Sequence, residues 1–128
     1  MMYYFSRILP INHADAVKRA TEALAAEGFG IITQIDVKDT LKKKIGVDFR
    51  PYLILGACNP KLAHEALTIE DKIGTMLPCN VVVQETPDGK TEIAAIDPVA
   101  SMAAVDNPRL KEAAIIVREK LKKALAAL

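Results

Sequence analysis

Cys58 and Cys79 are the two residues of this chain best equipped for chemistry. Cys58 closes an apolar run, Pro51 to Ala57 (PYLILGA), and stands directly before Asn59-Pro60, a pair that caps and opens a helix. Cys79 leads into Asn80 to Glu85 (NVVVQE), a β-branched run of strand type. If those strands are antiparallel neighbours, the two ends lie side by side and the sulfurs approach one another. A thiol just ahead of a helix start also meets unpaired N–H groups and the positive end of the dipole, which favour the thiolate. The chemistry this allows is an activated Cys58, with Cys79 as resolving partner or as co-ligand for a soft metal. Two other readings stand beside it. Cysteine commonly packs as a small hydrophobe, and a close pair can form a structural disulfide. The spacing is neither C-x-x-C nor a zinc pattern, so a metal would need further ligands and no metal residue is assigned.

Polar residues at strand ends extend the candidate site. Asp36 and Asp97 each follow a strand, and with Asn59 and Asn80 they can line one end of a sheet near the cysteines. Tyr52, Leu77 and Pro78 would form the rim of any pocket there. Helix capping accounts for Asp36, and a turn for Asp97-Pro98, without any further role. His13 falls in a first helical turn and His64 in the middle of a short amphipathic helix, both expected at the surface. No Ser/His/Asp order, G-x-S-x-G, H-E-x-x-H or phosphate loop occurs. Gly28 and Gly30 make no dinucleotide fingerprint, because no helix begins after them.

The 128 residues suit a single domain spanning 1–128. Apolar types reach 51% and charged types 26%, an ordinary globular balance that excludes a disordered, collagenous or coiled-coil chain. No apolar run is long enough for a membrane span or a signal peptide, so the expected compartment is the cytoplasm. With 17 Lys plus Arg against 16 Asp plus Glu, the net charge of +1 recruits neither nucleic acid nor anionic lipid. Trp is absent and Ala fills about one position in seven, so the core is aliphatic and closely packed. Such a core suits helix-on-sheet packing and offers no base-stacking platform.

These residues need a scaffold, and hydrophobic periodicity supplies one. Met2 to Leu9 reads as a strand. A helix follows from the Asn12 cap to Gly28, with Val17, Ala20 and Leu24 on its inner stripe. Gly30 to Ile35 is a second strand, and Val37, Leu41 and Ile45 share one face of a short helix closed by Gly46. Lys42, Lys43 and Lys44 lie opposite that stripe, as a solvated helix end does. Pro51 to Ala57 is a central third strand, and Leu62, Ala63, Ala66 and Leu67 mark a short helix after it. Asn80 to Glu85 and Thr91 to Ile96 form a hairpin across Thr86-Pro87-Asp88-Gly89. Asn107-Pro108 opens a last helix with Leu110, Ala114, Val117, Leu121 and Leu125 in register. The order strand, helix, four strands with short helical insertions, helix predicts an α+β fold. It is a mostly antiparallel five-stranded sheet with two long helices on one face.

The segments GFGIITQIDVKDTLKKKIG, YLILGACNP, MLPCNVVVQE and IDP, in that order and spacing, resemble the family known as domain of unknown function 302. The likeness is clearest from Gly28 to Met102. It implies a TATA-binding-protein-like α+β fold and a homodimer, and it carries no biochemical role. Its motif positions here are Phe29, Asp36, Gly56, Cys58, Asn59, Pro60, Leu77, Pro78, Cys79, Asp97 and Pro98. A fold shared with a DNA-binding protein does not bring DNA binding with it.

Three functional classes remain. The first is a dimeric binding module holding a small-molecule ligand or a soft metal near Cys58 and Cys79. The second is a thiol-dependent enzyme with Cys58 as nucleophile, and the third a purely structural or interaction protein. An enzyme needs an acid or base within reach of the thiol, and none is evident, so catalysis is left open and no cofactor is assigned. A binding module needs only a pocket with convergent polar groups. That reading is taken forward, with no nucleic-acid or membrane partner.

Overall fold

In the computed structural model, which describes residues 2–128, every expected element is present. The chain runs β1 (Tyr4–Leu9), α1 (His13–Ala26), β2 (Gly30–Asp36), α2 (Val37–Ile45), β3 (Tyr52–Cys58) and α3 (Pro60–Ile69). A 3-10 helix over Asp71–Met76 follows, then β4 (Cys79–Glu85), β5 (Thr91–Ile96), α4 (Pro98–Ser101) and α5 (Pro108–Ala126). The five strands form one antiparallel sheet in the order β1-β5-β4-β3-β2. This is an α+β fold in which β3 is an interior strand and β1 and β2 are the edges.

Side-chain caps set the helix starts. Oδ1 of Asn12 accepts from the Asp15 N–H at 2.8 Å, that of Asp36 from Asp39 at 2.9 Å, and that of Asn59 from Leu62 at 3.2 Å. Asn107 accepts from both Arg109 and Leu110 at the head of α5. Each such cap contributes about 1 kcal/mol by satisfying a backbone donor that the helix leaves unpaired. Gly46, at φ +68°, closes α2 in the left-handed conformation that only glycine adopts cheaply.

Strand alternation then sorts the side chains. Leu55, Ala57, Cys79, Val81, Val83, Ile93 and Ala95 point to one face, where Ala16, Ala20 and Leu24 of α1 and Leu121, Ala124 and Leu125 of α5 cover them. Arg7 fastens α5 to the edge strand. Its Nη1 donates to the carbonyls of Leu128 at 2.6 Å and Leu125 at 3.1 Å. His13 is half-buried, with Nε2 2.8 Å from the Val83 carbonyl, which corrects its expected place at the surface. The first turn of α1 begins directly over β4, so a side chain there meets the sheet before it meets water. His64 is exposed, as expected.

The opposite face of the sheet lies away from α1 and α5. Val82, Ala94 and Ile54 are half-buried there, while Ile8 at 56% and Ile35 at 50% stand in solvent. Among the described residues, no helix is long and apolar enough to cross a membrane.

Candidate functional site

A second, smaller core lies beyond one end of the sheet. Ala66 of α3, Ile73 of the 3-10 helix, Met102 after α4, and Leu110 and Ala114 of α5 pack together there. Between this cluster and the ends of β3 and β4 is a cavity of about 280 Å³. It exists because alanines face each other across it: Ala57 from β3, Ala63 and Ala66 from α3, and Ala113 and Ala114 from α5. A methyl group cannot span the gap that the helix spacing fixes, so the space stays open. Leu62, Leu67, Met102, Leu110 and Val117 complete the helical walls, with Phe29 at the sheet side.

Two local irregularities shape the sheet side. Ile31 pairs with Ala57 and Thr33 with Gly56, so Ile32 is the extra residue of a β-bulge. A bulge re-aims the side chain it carries, and Ile32, 61% exposed, stands on the cavity's lip. Gly56 allows the chain to close tightly beside it. A Cβ there would meet Thr33 Oγ1 at 2.0 Å and Pro78 Cγ at 2.8 Å. Only a hydrogen at that position lets Thr33 and Pro78 lie against the strand.

Cys58, Asn59 and Cys79 are the polar lining, and no charged side chain lines the cavity. Both thiols are free. Cys79 sits opposite Ala57 on the helix-covered face. Burial pushes its thiol up to about 11, and the nearby Cys58 adds to the rise. Cys79 is therefore a neutral S–H at physiological pH. Cys58 is half-buried at the lining. Asn59 uses Oδ1 to cap α3, while its Nδ2 has no hydrogen-bond partner among the described residues. Those residues contain no group of three or more His, Cys, Asp or Glu placed to hold a metal.

The seven candidate positions thus separate. Cys58, Asn59 and Cys79 come together as the cavity's polar corner. Asp97 lies at the same end of the sheet, buried, with one carboxylate oxygen hydrogen-bonded. Its Oδ1 accepts from the Val99 N–H at 3.0 Å and its Oδ2 faces Arg118 Nε at 3.7 Å. It positions Pro98 and Met102 on the wall rather than lining the space. Asn80 does not join the cluster. It pairs with Gly56 across the ladder and points from the open face, because alternation sends it opposite to Cys79. Asp36 and Tyr52 lie at the other end of the sheet, where Asp36 pairs with the neighbour of Tyr52, Leu53. The length of β3, about 20 Å at roughly 3.3 Å per residue, separates Tyr52 from Cys58. Tyr52 instead packs on Phe49 at 6.0 Å with the Arg50 guanidinium beside it. Of the expected rim, Leu77 and Pro78 line the cavity and Tyr52 does not. The walls themselves read in the sequence as ordinary apolar stripes.

A family model described as Domain of unknown function DUF302 matches residues 5–128. No curated protein matches the chain significantly. Among solved structures, the crystal structure of uncharacterized conserved protein DUF302 from Bacillus stearothermophilus is similar, with 31% identity and a TM-score of 0.92. That match covers 99% of this chain and 98% of the other. The family match spans nearly the whole sequence and every element of the sheet and its helices, so this chain belongs to the DUF302 family.

Proposed function

We propose that this protein is a binding module for a small, uncharged and mainly apolar organic ligand, held in the cavity beside Cys58 and Cys79. The observation that carries the reading is the cavity itself: 280 Å³ of space walled by aliphatic side chains, with one unengaged amide donor at its polar corner. An empty apolar volume of that size costs packing energy that leucines in place of the alanines would recover. A charged ligand would lose its hydration with no counter-charge on the lining to replace it. A soft metal is the weaker alternative, because the described residues bring no group of three or more His, Cys, Asp or Glu together to hold one.

The space equals about nine water volumes of roughly 30 Å³ each, so the ligand has about that many non-hydrogen atoms. At the efficiencies usual for small ligands, this corresponds to a Kd on the order of 0.1 mM. Benzylacetone, a neutral ketone of suitable bulk, is a fitting probe. It should raise the melting temperature of the wild type in proportion to its concentration and leave a cavity-filled Ala63→Leu variant unmoved. Equal behaviour of the two proteins contradicts the reading.

A homodimer is part of the proposal, supported by the apolar side chains exposed on the sheet face away from α1 and α5. A second copy laid on it would remove Ile8, Ile35, Val82 and Ile54 from water. The two free thiols suit a reducing compartment, and the cytoplasm is the proposed location.

A further inference from the structure

We infer that the cavity captures α,β-unsaturated ketones and aldehydes with a short apolar tail, as thioethers of Cys58. The inference rests on the ligand-binding reading above and adds a reaction to it.

The chemistry follows from which groups the cavity has and which it lacks. Cys58 lines the space and is half-buried, whereas Cys79 is buried and holds its proton. One lining thiol is therefore open to a ligand. Among the described residues, no histidine or carboxylate lines the cavity, so none of them serves there as general base or acid for a leaving group. That removes acyl transfer and hydrolysis. Conjugate addition makes neither demand. Cysteine is the nucleophile that needs least activation, and an unsaturated carbonyl has no group to expel.

A conjugate acceptor does need its carbonyl polarised, and the adjacent residue supplies the donor. Asn59 is locked by its Oδ1 bond to the Leu62 N–H, and its Nδ2, beside Gly28, has no hydrogen-bond partner among the described residues. In the addition, the Cys58 sulfur bonds to the β carbon and the C=C π pair moves toward the carbonyl oxygen, where Nδ2 donates. The α carbon then takes the proton that the thiol gave up to solvent. The net change is S–H added across C=C, with no redox partner and no leaving group. The apolar tail lies among Ala63, Ala66, Met102 and Leu110, which exclude water from it.

The test treats the whole protein with benzylideneacetone and follows adducts by intact mass and peptide mapping. Its saturated counterpart benzylacetone, which cannot add thiols by this route, is titrated in parallel by NMR. The expected result is a single adduct on Cys58, formed at least tenfold faster than on the urea-unfolded chain. It should be absent in Cys58→Ala and retained in Cys79→Ala, with benzylacetone binding intact in Cys58→Ala. If benzylacetone binds but the adduct forms no faster than in the unfolded chain, or forms on Cys79, covalent capture is overturned while the binding reading stands. If benzylacetone does not bind, both fall.

Discussion

Cys79 lies directly across the β3–β4 ladder from Ala57 and is buried on the helix-covered face, while Cys58, one residue further along β3 and lining the same cavity, is only half-buried. Adjacent positions in the ladder thus give the two thiols different environments, and the difference is measurable.

Stability should fall in alkaline solution because of Cys79. Burial raises its thiol from the ordinary 9.0 to about 11. The folded state then prefers the proton more strongly than the unfolded chain does. The stabilisation is complete below pH 9, and it is lost as pH climbs through about 11, by about 2–3 kcal/mol at roughly 1.4 kcal/mol per unit. Urea unfolding at stepped pH, wild type against Cys79→Ala, isolates this loss; identical slopes for the two proteins count against it.

Gly56→Ala should destabilise through overpacking, by about 1–3 kcal/mol. The new methyl would stand 2.0 Å from Thr33 Oγ1 and 2.8 Å from Pro78 Cγ. Adding Thr33→Ala removes the closer obstacle and should recover part of the loss, a coupling that chemical denaturation of the double-mutant cycle reads directly.

Filling the cavity should trade ligand for stability. Ala63→Leu places an isobutyl group into the space from a half-buried helical position. Expected are a gain of about 0.5–2 kcal/mol and at least a tenfold weaker response to benzylacetone. A loss of stability would mean that the walls cannot accept the added bulk.

Ile35→Lys tests the open sheet face. Light scattering should give the mass of a dimer for the wild type and of a monomer for the variant, because a lysine on the face brings a charge into the contact. Ile35 is half exposed in the protomer, so its replacement should leave the fold intact by circular dichroism. A wild type that runs as a monomer rules out this interface.

The elements were legible in the sequence because each is signalled locally. Asn12, Asp36, Asn59 and Asn107 all sit at the helix starts their types suggest, and Thr86-Pro87-Asp88-Gly89 turns the β4–β5 hairpin. The pairing of Cys58 with Asn59 and Cys79 at one corner was also readable, since antiparallel neighbours bring those ends together. Which side of the sheet each residue faces was harder. Asn80 was grouped with Cys79 by adjacency, although alternation separates adjacent residues onto opposite faces. Asp36, a polar residue at a strand end, and Tyr52, expected on the pocket's rim, fall at the far end because an antiparallel sheet has two ends. The cavity had no signal of its own, because an alanine stripe that leaves space looks the same in sequence as one that packs closely. Arg7 on the last carbonyls of α5 and His13 on Val83 span more than half the chain, and no local pattern announces them.

The most direct test of the central claim is a two-dimensional NMR titration of the wild-type protein with benzylacetone, assigned at the methyl groups. The account predicts saturable shifts at Leu62, Met102, Leu110 and Val117, which line the cavity, and none at Ile8 or Ile35 on the open sheet face. Shifts spread over the sheet face with the cavity methyls unmoved, or no saturable shift at all, would contradict it.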